Sequence, residues 1–475
     1  MGGNKTLEKA VQTTENKMGT MPVNKLLLTM SIPMVISMLI QALYNIVDSI
    51  FVARIGEDAL TAVSLAFPLQ NLMIAVASGT GVGVNALLSK SLGAKDFKLA
   101  DRTANVSVFL ALMNWLVFIV FGIFFTDIYF RAQTDIEVII DYGNSYLRIV
   151  SIISIGVFGQ IMGERLLQAT GKTFFTMITQ GVGAIINIIF DPIMIFGLFG
   201  FPEMGVAGAA LATVFGQVVA MILTIIFNLK YNKDLKFSLK EIRPNGKIIA
   251  RIYKVGVPSI IMLAISSVMT FAMNKILIAF SATAAAVFGV YYKLQSFVFM
   301  PIIGMNNGMV PIIAYNYGAE RPDRIKKTMR YAVCYAIGLM LIGLALFQFI
   351  PDKLLFMFSA SEDMLSIGIP ALRTISWSFL IAGFCVVSLS VLQALGRGVS
   401  SLIVSVSRQL VVLVPVAYLL SMLGNVDYVW WAFPIAEFVS LVICVVMVTK
   451  TFKSIDAPPK TETGDFKEYD SYVEQ

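Results

Sequence analysis

The sequence predicts an all-α integral membrane protein with twelve transmembrane helices. These are expected in two parallel six-helix bundles, related by a pseudo-twofold axis along the membrane normal. Three observations predict this fold: an apolar composition, apolar stretches of membrane-spanning length, and an internal repeat. Hydrophobic residues make up 57% of the 475-residue chain and charged residues only 14%, with a mean hydropathy of +0.80. Because soluble domains carry about 25% charged residues, this composition indicates a membrane protein.

Twelve apolar stretches have the length of a transmembrane helix. About 20 residues of helix cross the roughly 30 Å hydrocarbon core of a bilayer, and loops rich in charge, Gly and Pro separate the stretches. The predicted spans cover residues 26–52, 60–88, 106–125, 138–167, 174–199, 206–229, 252–280, 284–314, 331–349, 367–392, 402–423 and 429–448. Several exceed a perpendicular crossing, which predicts tilt or extension beyond the bilayer.

Basic residues alternate between successive loops and predict the orientation of the chain. Residues 90–102 carry four Lys or Arg, residues 230–254 carry eight and residues 321–330 carry five, whereas the intervening loops carry almost none. Cytoplasmic loops are enriched in Lys and Arg, so these loops and both termini are predicted to be cytoplasmic, in a plasma (inner) membrane. Residues 1–24 do not resemble a cleavable signal peptide, so the first span is expected to direct insertion.

An internal repeat divides the chain into two halves. Shifting the sequence by 225 residues against itself aligns Pro, Gln and Gly residues without a gap. The aligned pairs include Pro33 with Pro258, Gln70 with Gln295, Gly79 with Gly304, Gly83 with Gly308, Gly93 with Gly318, and Gly171 with Gly396. Because each half contains six spans, both halves have the same orientation, an arrangement suited to alternating access. We predict bundles at 25–229 and 251–452, a linker at 230–250, and tails at 1–24 and 453–475.

Two carboxylates, Asp48 and Asp191, lie inside predicted spans. A charged side chain within the bilayer costs on the order of 3 kcal/mol, so each is expected to face a wet cavity. Asn187 precedes Asp191 by four residues and shares its helical face, and Tyr44 has the same relation to Asp48. Pro192 cannot donate a backbone hydrogen bond and could free nearby carbonyls. These oxygens could hold a sodium ion or one acid could carry a proton; alternatively, both acids are structural.

Composition excludes several classes of chemistry. The chain has no histidine, which removes imidazole zinc sites and Ser-His-Asp or Cys-His catalysis. The three cysteines lie in apolar runs and are expected to pack without redox chemistry. The segment ATGKT at 169–173 resembles the end of a phosphate-binding loop, but Leu166 stands where that motif requires Gly. We therefore predict neither an enzyme nor a bound cofactor, apart from a sodium ion or proton as the coupling ion.

Several segments resemble the multidrug and toxic compound extrusion (MATE) transporters. They are Pro33, Tyr44 and Asp48 in the first span, NIIFDPIMIFG at 187–197, GVAGAALATVFGQ at 205–217, and YKLQSFVFMPIIG with NYGA in the eighth span. The similarity covers essentially the whole chain except its two tails. It implies efflux of organic, often cationic, compounds coupled to inward flow of sodium ions or protons.

The same resemblance implies roles for individual residues. Asp48, Asn187, Asp191 and Thr213 match the positions of the family's cation site, with Tyr44 beside them. The resemblance implies that this site binds sodium or a proton. Pro33 matches the bending point of the first helix, and its repeat counterpart Pro258 is expected to be a second hinge.

The second half departs from the first at the acidic positions. At the 225-residue offset Asp48 corresponds to Met273 and Asp191 to Val416. The N-terminal half is therefore predicted to be the half that couples transport to cation flow.

The sequence also offers candidates for a substrate cavity. They are Gln70, Asn274, Lys293, Gln295 and Glu437. Lys293 and Glu437 could instead pair with each other, and a lysine in the cavity would disfavour organic cations; the role of Lys275 is left open. Glu164 and Arg165 are expected to pair with each other or to anchor the chain at the lipid surface.

The predicted function is secondary active multidrug efflux. A flippase for a lipid-linked saccharide is the nearest alternative, because such flippases share the duplicated architecture. A membrane-embedded transferase is a third option, which the absence of histidine and of a compact acidic cluster argues against. The expected partners are small-molecule substrates and membrane lipids, with no nucleic acid and no obligate protein partner, and we expect a monomer.

Overall fold

The structure, a computed structural model, describes residues 16–358 and 360–456. Within these ranges every regular element is helical, and ten helices are long and apolar enough to cross a membrane. Two bent helix pairs bring the candidate spans to twelve. The predicted all-α membrane fold is confirmed. The tails predicted at 1–24 and 453–475 lie mostly outside the described residues.

The twelve spans are numbered in chain order. They are α1 (Val23–Ala53), α2 (Glu57–Gly93), α3 (Phe97–Phe124), α4 (Glu137–Ile152 and Ile155–Ala169), α5 (Thr173–Phe196), α6 (Gly205–Tyr231), α7 (Gly246–Ile278), α8 (Ala282–Gly318), α9 (Pro322–Phe349), α10 (Glu362–Ser376 and Phe379–Ala394), α11 (Gly398–Ser421) and α12 (Ala432–Asp456). Short helices lie at Lys17–Thr20, Thr126–Arg131, Pro351–Phe356 and Val426–Val429. Most spans begin and end within several residues of the predicted ones.

Two spans, α4 and α10, were predicted as continuous helices but are bent, by 43° and 53°. At the bend in α4 the Ser154 hydroxyl donates to the Ser151 carbonyl at 2.7 Å. At the bend in α10 the Ser378 hydroxyl donates to the Ile375 carbonyl, also at 2.7 Å. A serine that bonds back to the preceding turn competes with backbone hydrogen bonds, and such serines are often found where a helix bends. Mean hydropathy, which identified the spans, does not report this local effect.

The internal repeat is visible in the helix boundaries. Both α2 and α8 are 37 residues long, and they begin 225 residues apart. Both α3 and α9 are 28 residues long and keep the same separation, as do the short helices Thr126–Arg131 and Pro351–Phe356. The chain therefore consists of two six-helix units with the same order of elements, α1 to α6 and α7 to α12.

Glycines of the repeat lie where the two halves meet. Helix α2 packs on α7, and α8 packs on α1. A Cβ added at Gly79 would lie 2.9 Å from the Ile260 amide nitrogen, and one added at Gly304 would lie 2.7 Å from the Val35 Cα. Because such distances are too short for a side chain, glycine is required for these close backbone contacts. We call the surface formed by α1, α2, α7 and α8 the inter-half seam.

The seam continues to the membrane face that carries the basic loops, here called the basic end. A Cβ added at Gly93 would overlap the Tyr315 carbonyl. In the equivalent contact, one added at Gly318 would overlap the Lys90 carbonyl. These contacts join the last turns of α2 and α8, so the two halves are closed against each other at the basic end.

A short N-terminal segment bridges the halves at the basic end. Asn16 Nδ2 donates to the Thr170 carbonyl in the N-terminal half at 3.3 Å. The fully buried Met18 accepts at its carbonyl from Arg324 Nη2 in the C-terminal half at 3.0 Å. Part of the predicted polar tail is therefore packed between the bundles.

A valine at Gly308 is expected to hold the basic end open. Its Cβ would lie 2.8 Å from the Met30 carbonyl oxygen, and overpacking of this kind costs about 1–3 kcal/mol. Because the cost applies only when the halves are closed, the equilibrium should shift toward separated halves. Spin labels at Lys98 and Asp323, in the first turns of α3 and α9, should report a longer distance than in the parent protein.

The matched control is Gly289→Val on the same helix. A Cβ at Gly289 meets no atom of the described residues within 4 Å, so the distance between the labels should not change. An unchanged distance in Gly308→Val as well would contradict the assignment of Gly308 to the closing surface.

Candidate functional site

Close packing of α5 on α6 builds the site in the N-terminal half. A Cβ added at Gly216 would lie 2.6 Å from the Gly183 carbonyl oxygen. Since neither residue has a side chain, the two backbones touch, and α6 presents Thr213 to the polar face of α5. Asn187 and Asp191 share that face because they are about one helical turn apart.

Asn187 connects the other two residues of this group. Its Nδ2 donates to Asp191 Oδ1 at 3.3 Å and to Thr213 Oγ1 at 3.3 Å. Asp191 is fully buried, and Asn187 and Thr213 are nearly so. Pro192 lies inside the continuous helix α5, and its missing amide leaves the Ile188 carbonyl without its usual helical donor.

Helix α1 brings the remaining predicted residues to the same place. The carboxyl groups of Asp48 and Asp191 lie within hydrogen-bonding reach of each other, and Tyr44 lies close to both. Tyr146 of α4 also lies near Asp48, and Gln70 of α2 is close to it. Sequence reasoning missed Tyr146, because nothing in the sequence distinguishes it from the other tyrosines of the spans.

Three oxygens at this site are buried and have no hydrogen-bond partner among the residues that the structure describes. They are Asp48 Oδ1, Asp191 Oδ2 and Asn187 Oδ1. Two adjacent carboxylates repel each other when both are ionised, so the pair favours a shared proton or a bound cation. Carboxylate, amide and hydroxyl oxygens are hard ligands, which suit hard cations. The residues present therefore fit either a sodium ion or a proton.

A cavity of about 100 Å³ lies beside this site, inside the N-terminal half. Tyr44, Asn187 and Thr213 line one part of it, and Glu164 and Gln180 line another. The cavity therefore connects the predicted cation site with a second carboxylate.

Glu164 is buried, with 3% of its surface exposed. Its carboxylate accepts from Gln160 Nε2 at 3.0 Å and from Gln180 Nε2 at 2.8 Å. The Thr179 hydroxyl donates to it at 3.1 Å. The expectation that Glu164 pairs with Arg165 or anchors the chain in lipid was wrong, because Glu164 faces the interior, where neutral groups of α4 and α5 donate to its carboxylate.

Arg165 points toward the other half. Its Nη1 donates to Gln168 Oε1 at 2.9 Å and to Asn307 Oδ1 of α8 at 3.1 Å. Arg165 is thus an inter-half contact, and the Glu164 carboxylate accepts hydrogen bonds from neutral donors instead.

Comparison with known proteins identifies the family. The MatE family model matches residues 33–193 and 258–419, which together exceed half of the chain. The chain belongs to the MatE family. The two matches begin 225 residues apart, at the offset of the internal repeat, and the MATE resemblance predicted from motifs is confirmed.

Relatives and solved structures agree with this result. The multidrug export protein MepA of Staphylococcus haemolyticus is 27% identical over 425 residues, covering 89% of this chain and 93% of the relative. A solved structure described as the outward-facing conformation of a multidrug resistance MATE family transporter has a TM-score of 0.88 and 26% identity, covering 94% of this chain and 99% of that one. A MOP superfamily transporter from Pyrococcus furiosus Vc1, described as having a binding pocket of reverse polarity that suggests a different function, has a TM-score of 0.85 and 25% identity, covering 94% and 99%.

The C-terminal half of this MATE chain carries an ion pair between a buried glutamate and a half-buried arginine. Arg408 Nη1 lies 3.2 Å from Glu437 Oε1, and these side chains are 22% and 8% exposed. The suggested pairing of Glu437 with Lys293 was therefore wrong. Arg408 lies in the π-helical segment Ser407–Leu413 and aligns with Gly183 of the first half. Sequence reasoning missed it, although an arginine inside an apolar span was a visible signal.

The other predicted cavity residues lie on three helices. Lys293 is exposed, with its Nζ 6.0 Å from the centroid of the Phe358 ring. Lys275 is also exposed and lies 5.5 Å from the centroid of the Phe271 ring. Half-buried positions on α2, α7 and α8 are occupied by Gln70, Asn274 and Gln295. Their role in a substrate cavity stays a prediction.

The two predicted hinge prolines lie at the inter-half seam. Pro33 and Pro258 are buried inside the continuous helices α1 and α7. Each stands two residues before a seam contact, Val35 for the first and Ile260 for the second. A bend at either proline would therefore act on the packing between the halves, and the hinge role itself stays a prediction.

Proposed function

We propose that this MATE protein is an antiporter that exports small amphipathic organic compounds, driven by inward flow of sodium ions or protons. One observation carries the proposal: Asp48 and Asp191 form a carboxyl pair, and each has a buried oxygen with no hydrogen-bond partner in the described part of the chain. The equivalent positions of the other half are Met273 and Val416. The export class is supported by MepA, whose name describes multidrug export.

Helix α1 can transmit cation binding to the rest of the molecule. Asp48 contributes to the cation site, whereas Val35 packs on Gly304 of α8. A proton or sodium ion between the acids removes their mutual repulsion and favours a closer approach of α1 to α5. Pro33 lies between this site and the basic end and weakens the helix where it meets α8. Cation and substrate then bias one two-state equilibrium between closed and open seams.

We propose the space between the halves as the substrate route. The chain contains 25 Met and 34 Phe, and flexible, polarisable side chains of this kind accommodate varied ligands. In this proposal the protein acts as a monomer in the plasma (inner) membrane, with its basic end in the cytoplasm. Small molecules are its substrates, lipids surround it, and neither nucleic acid nor an obligate protein partner is involved.

A flippase for an anionic lipid-linked saccharide is the second candidate. The exposed Lys275 and Lys293 of α7 and α8 favour it, because ammonium groups attract anionic head groups and repel organic cations. The relative from Pyrococcus furiosus, whose pocket is described as having reverse polarity, supports keeping it open.

Proteoliposomes in which sodium and pH gradients are imposed independently would test the proposal. We expect a fluorescent organic cation to move against its own gradient only when one of the two cation gradients is present. Gradient-independent movement of a labelled lipid-linked saccharide, with no movement of the dye, would favour the flippase instead. Equal dye movement with both gradients collapsed would contradict antiport.

A further inference from the structure

We infer that Glu164 is a second cation site of the N-terminal half, which takes a proton or sodium ion passing between the Asp48 and Asp191 pair and the basic end. The inference rests on the proposed antiport. It assigns a role to Glu164, a buried carboxylate that has none in the cation site of Asp48 and Asp191.

One cavity extends from Glu164 to Asn187, which is bonded to Asp191. On α5, Gln180, Asn187 and Asp191 follow one another at spacings of seven and four residues, so they form a single polar face. Gln180 bonds to Glu164, and Asn187 bonds to Asp191. Gln180 and Asn187 both line the cavity, about 10 Å apart along the helix axis.

The order of the two sites along the membrane follows from the helix positions. Helix α5 begins at Thr173 near the basic end, so Gln180 lies about 10 Å and Asn187 about 21 Å inside it. Glu164 therefore lies between the paired acids and the basic end. Because the inter-half seam is closed at that end, this cavity offers the cation a path within one bundle that extends toward the basic end as far as Glu164 and Gln180.

The chemistry around Glu164 selects a cation. Three neutral groups donate to its carboxylate, from Gln160, Thr179 and Gln180. Within residues 16–358 and 360–456, the buried Gln180 Oε1 atom has no hydrogen-bond partner, so an acceptor oxygen stands available beside the carboxylate. An anion would find like charge here and an apolar ligand would strand these oxygens, whereas a proton or sodium ion is stabilised by them.

Glu164→Gln tests the inference through the number of cations bound by the purified full-length protein. We expect the parent to bind two cations. Binding is measured with radioactive sodium and, in a separate assay, as protons taken up on acidification, and the assay that detects binding identifies the cation. Glu164→Gln and Asp191→Asn should each bind one fewer. Gradient-driven dye transport by Glu164→Gln should fall roughly tenfold, within the range of coupling between linked sites.

Two further variants separate a cation site from a structural role. Glu164→Asp retains the carboxylate, so it should bind the second cation that Glu164→Gln loses. If Glu164 were purely structural, the aspartate variant would not restore the number of cations bound. Glu203→Gln removes an exposed acid from the loop between α5 and α6 and should leave the binding and transport values of the parent. The Gln160 and Gln180 amides can rotate to pair with a glutamine at 164, so the neutral variant keeps its hydrogen bonds.

The outcomes distinguish this inference from the proposed function. Parent-like cation binding and transport by Glu164→Gln, with Asp191→Asn inactive, would overturn the Glu164 site and leave antiport standing. Parent-like coupled transport by both variants would overturn both proposals.

Discussion

Asp191→Asn is expected to reduce gradient-driven transport by roughly a hundredfold, near the upper end of measured coupling between sites. Asparagine keeps the shape of the side chain and can still bond to Asn187, which now lies 3.3 Å from the carboxylate. It can neither release a proton nor supply a second negative charge beside Asp48. The substrate should therefore still bind, while cation flow no longer drives its movement.

The measurement compares two assays on the same proteoliposomes. Dye uptake driven by the cation gradient should be lost. Dye binding to the detergent-purified protein should remain within about threefold of the parent, because a change at one site has little effect on a separate, distant site. Asp48→Asn should behave in the same way. Asp363→Asn, an exposed acid in the first turn of α10, is the control and should leave both values unchanged. Full coupled transport by both Asp48→Asn and Asp191→Asn would contradict the cation site.

Arg408→Met is expected to produce the largest loss of stability among these variants, about 3–5 kcal/mol. It leaves Glu437 without its partner, and that side chain is only 8% exposed. The double variant Arg408→Met with Glu437→Leu removes both charges, so most of the loss should be recovered. The free energy of unfolding in detergent, measured by denaturant titration, checks both expectations.

An exposed ion pair supplies the control for this prediction. Lys326 and Asp456 lie 2.7 Å apart, and both side chains are more than 40% exposed. Because exposed pairs contribute about 0–1 kcal/mol, Lys326→Met should change the stability little. Equal losses for Lys326→Met and Arg408→Met would show that burial does not set the cost of breaking these pairs.

The sequence was informative where the structure depends on residue type alone, on the repeat offset or on the spacing of residues along a helix. Apolar length predicted the twelve spans, and the constant offset of Pro, Gln and Gly predicted the two halves. The spacing of Asn187 and Asp191 predicted a shared helical face, which the structure contains. The contact of Asp48 with Asp191 depends on the packing of α1 on α5, and only the family resemblance pointed to it.

Features that depend on side-chain direction or on a local bend could not be predicted. The bends of α4 and α10 lie at serines whose hydroxyls bond back to the preceding turn, and a hydropathy window of about 20 residues averages out such local features. Glu164 faces inward against α5, whereas its position near a helix end suggested the lipid surface. The partner of Glu437 required knowing which faces of α11 and α12 meet.

The contacts across the inter-half seam obey a reciprocal rule. Gly79 meets Ile260 as Gly304 meets Val35, and Gly93 meets Tyr315 as Gly318 meets Lys90. In each case the two contacts are exchanged by the 225-residue shift, so the surface is isologous, like that of a homodimer with twofold symmetry. Each half therefore carries both complementary surfaces. The linker between Tyr231 and Gly246 keeps the halves close together, whereas the seam surfaces determine how they bind each other. The two halves expressed as separate chains should therefore reassemble. Co-purification with a tag on one half would reveal this.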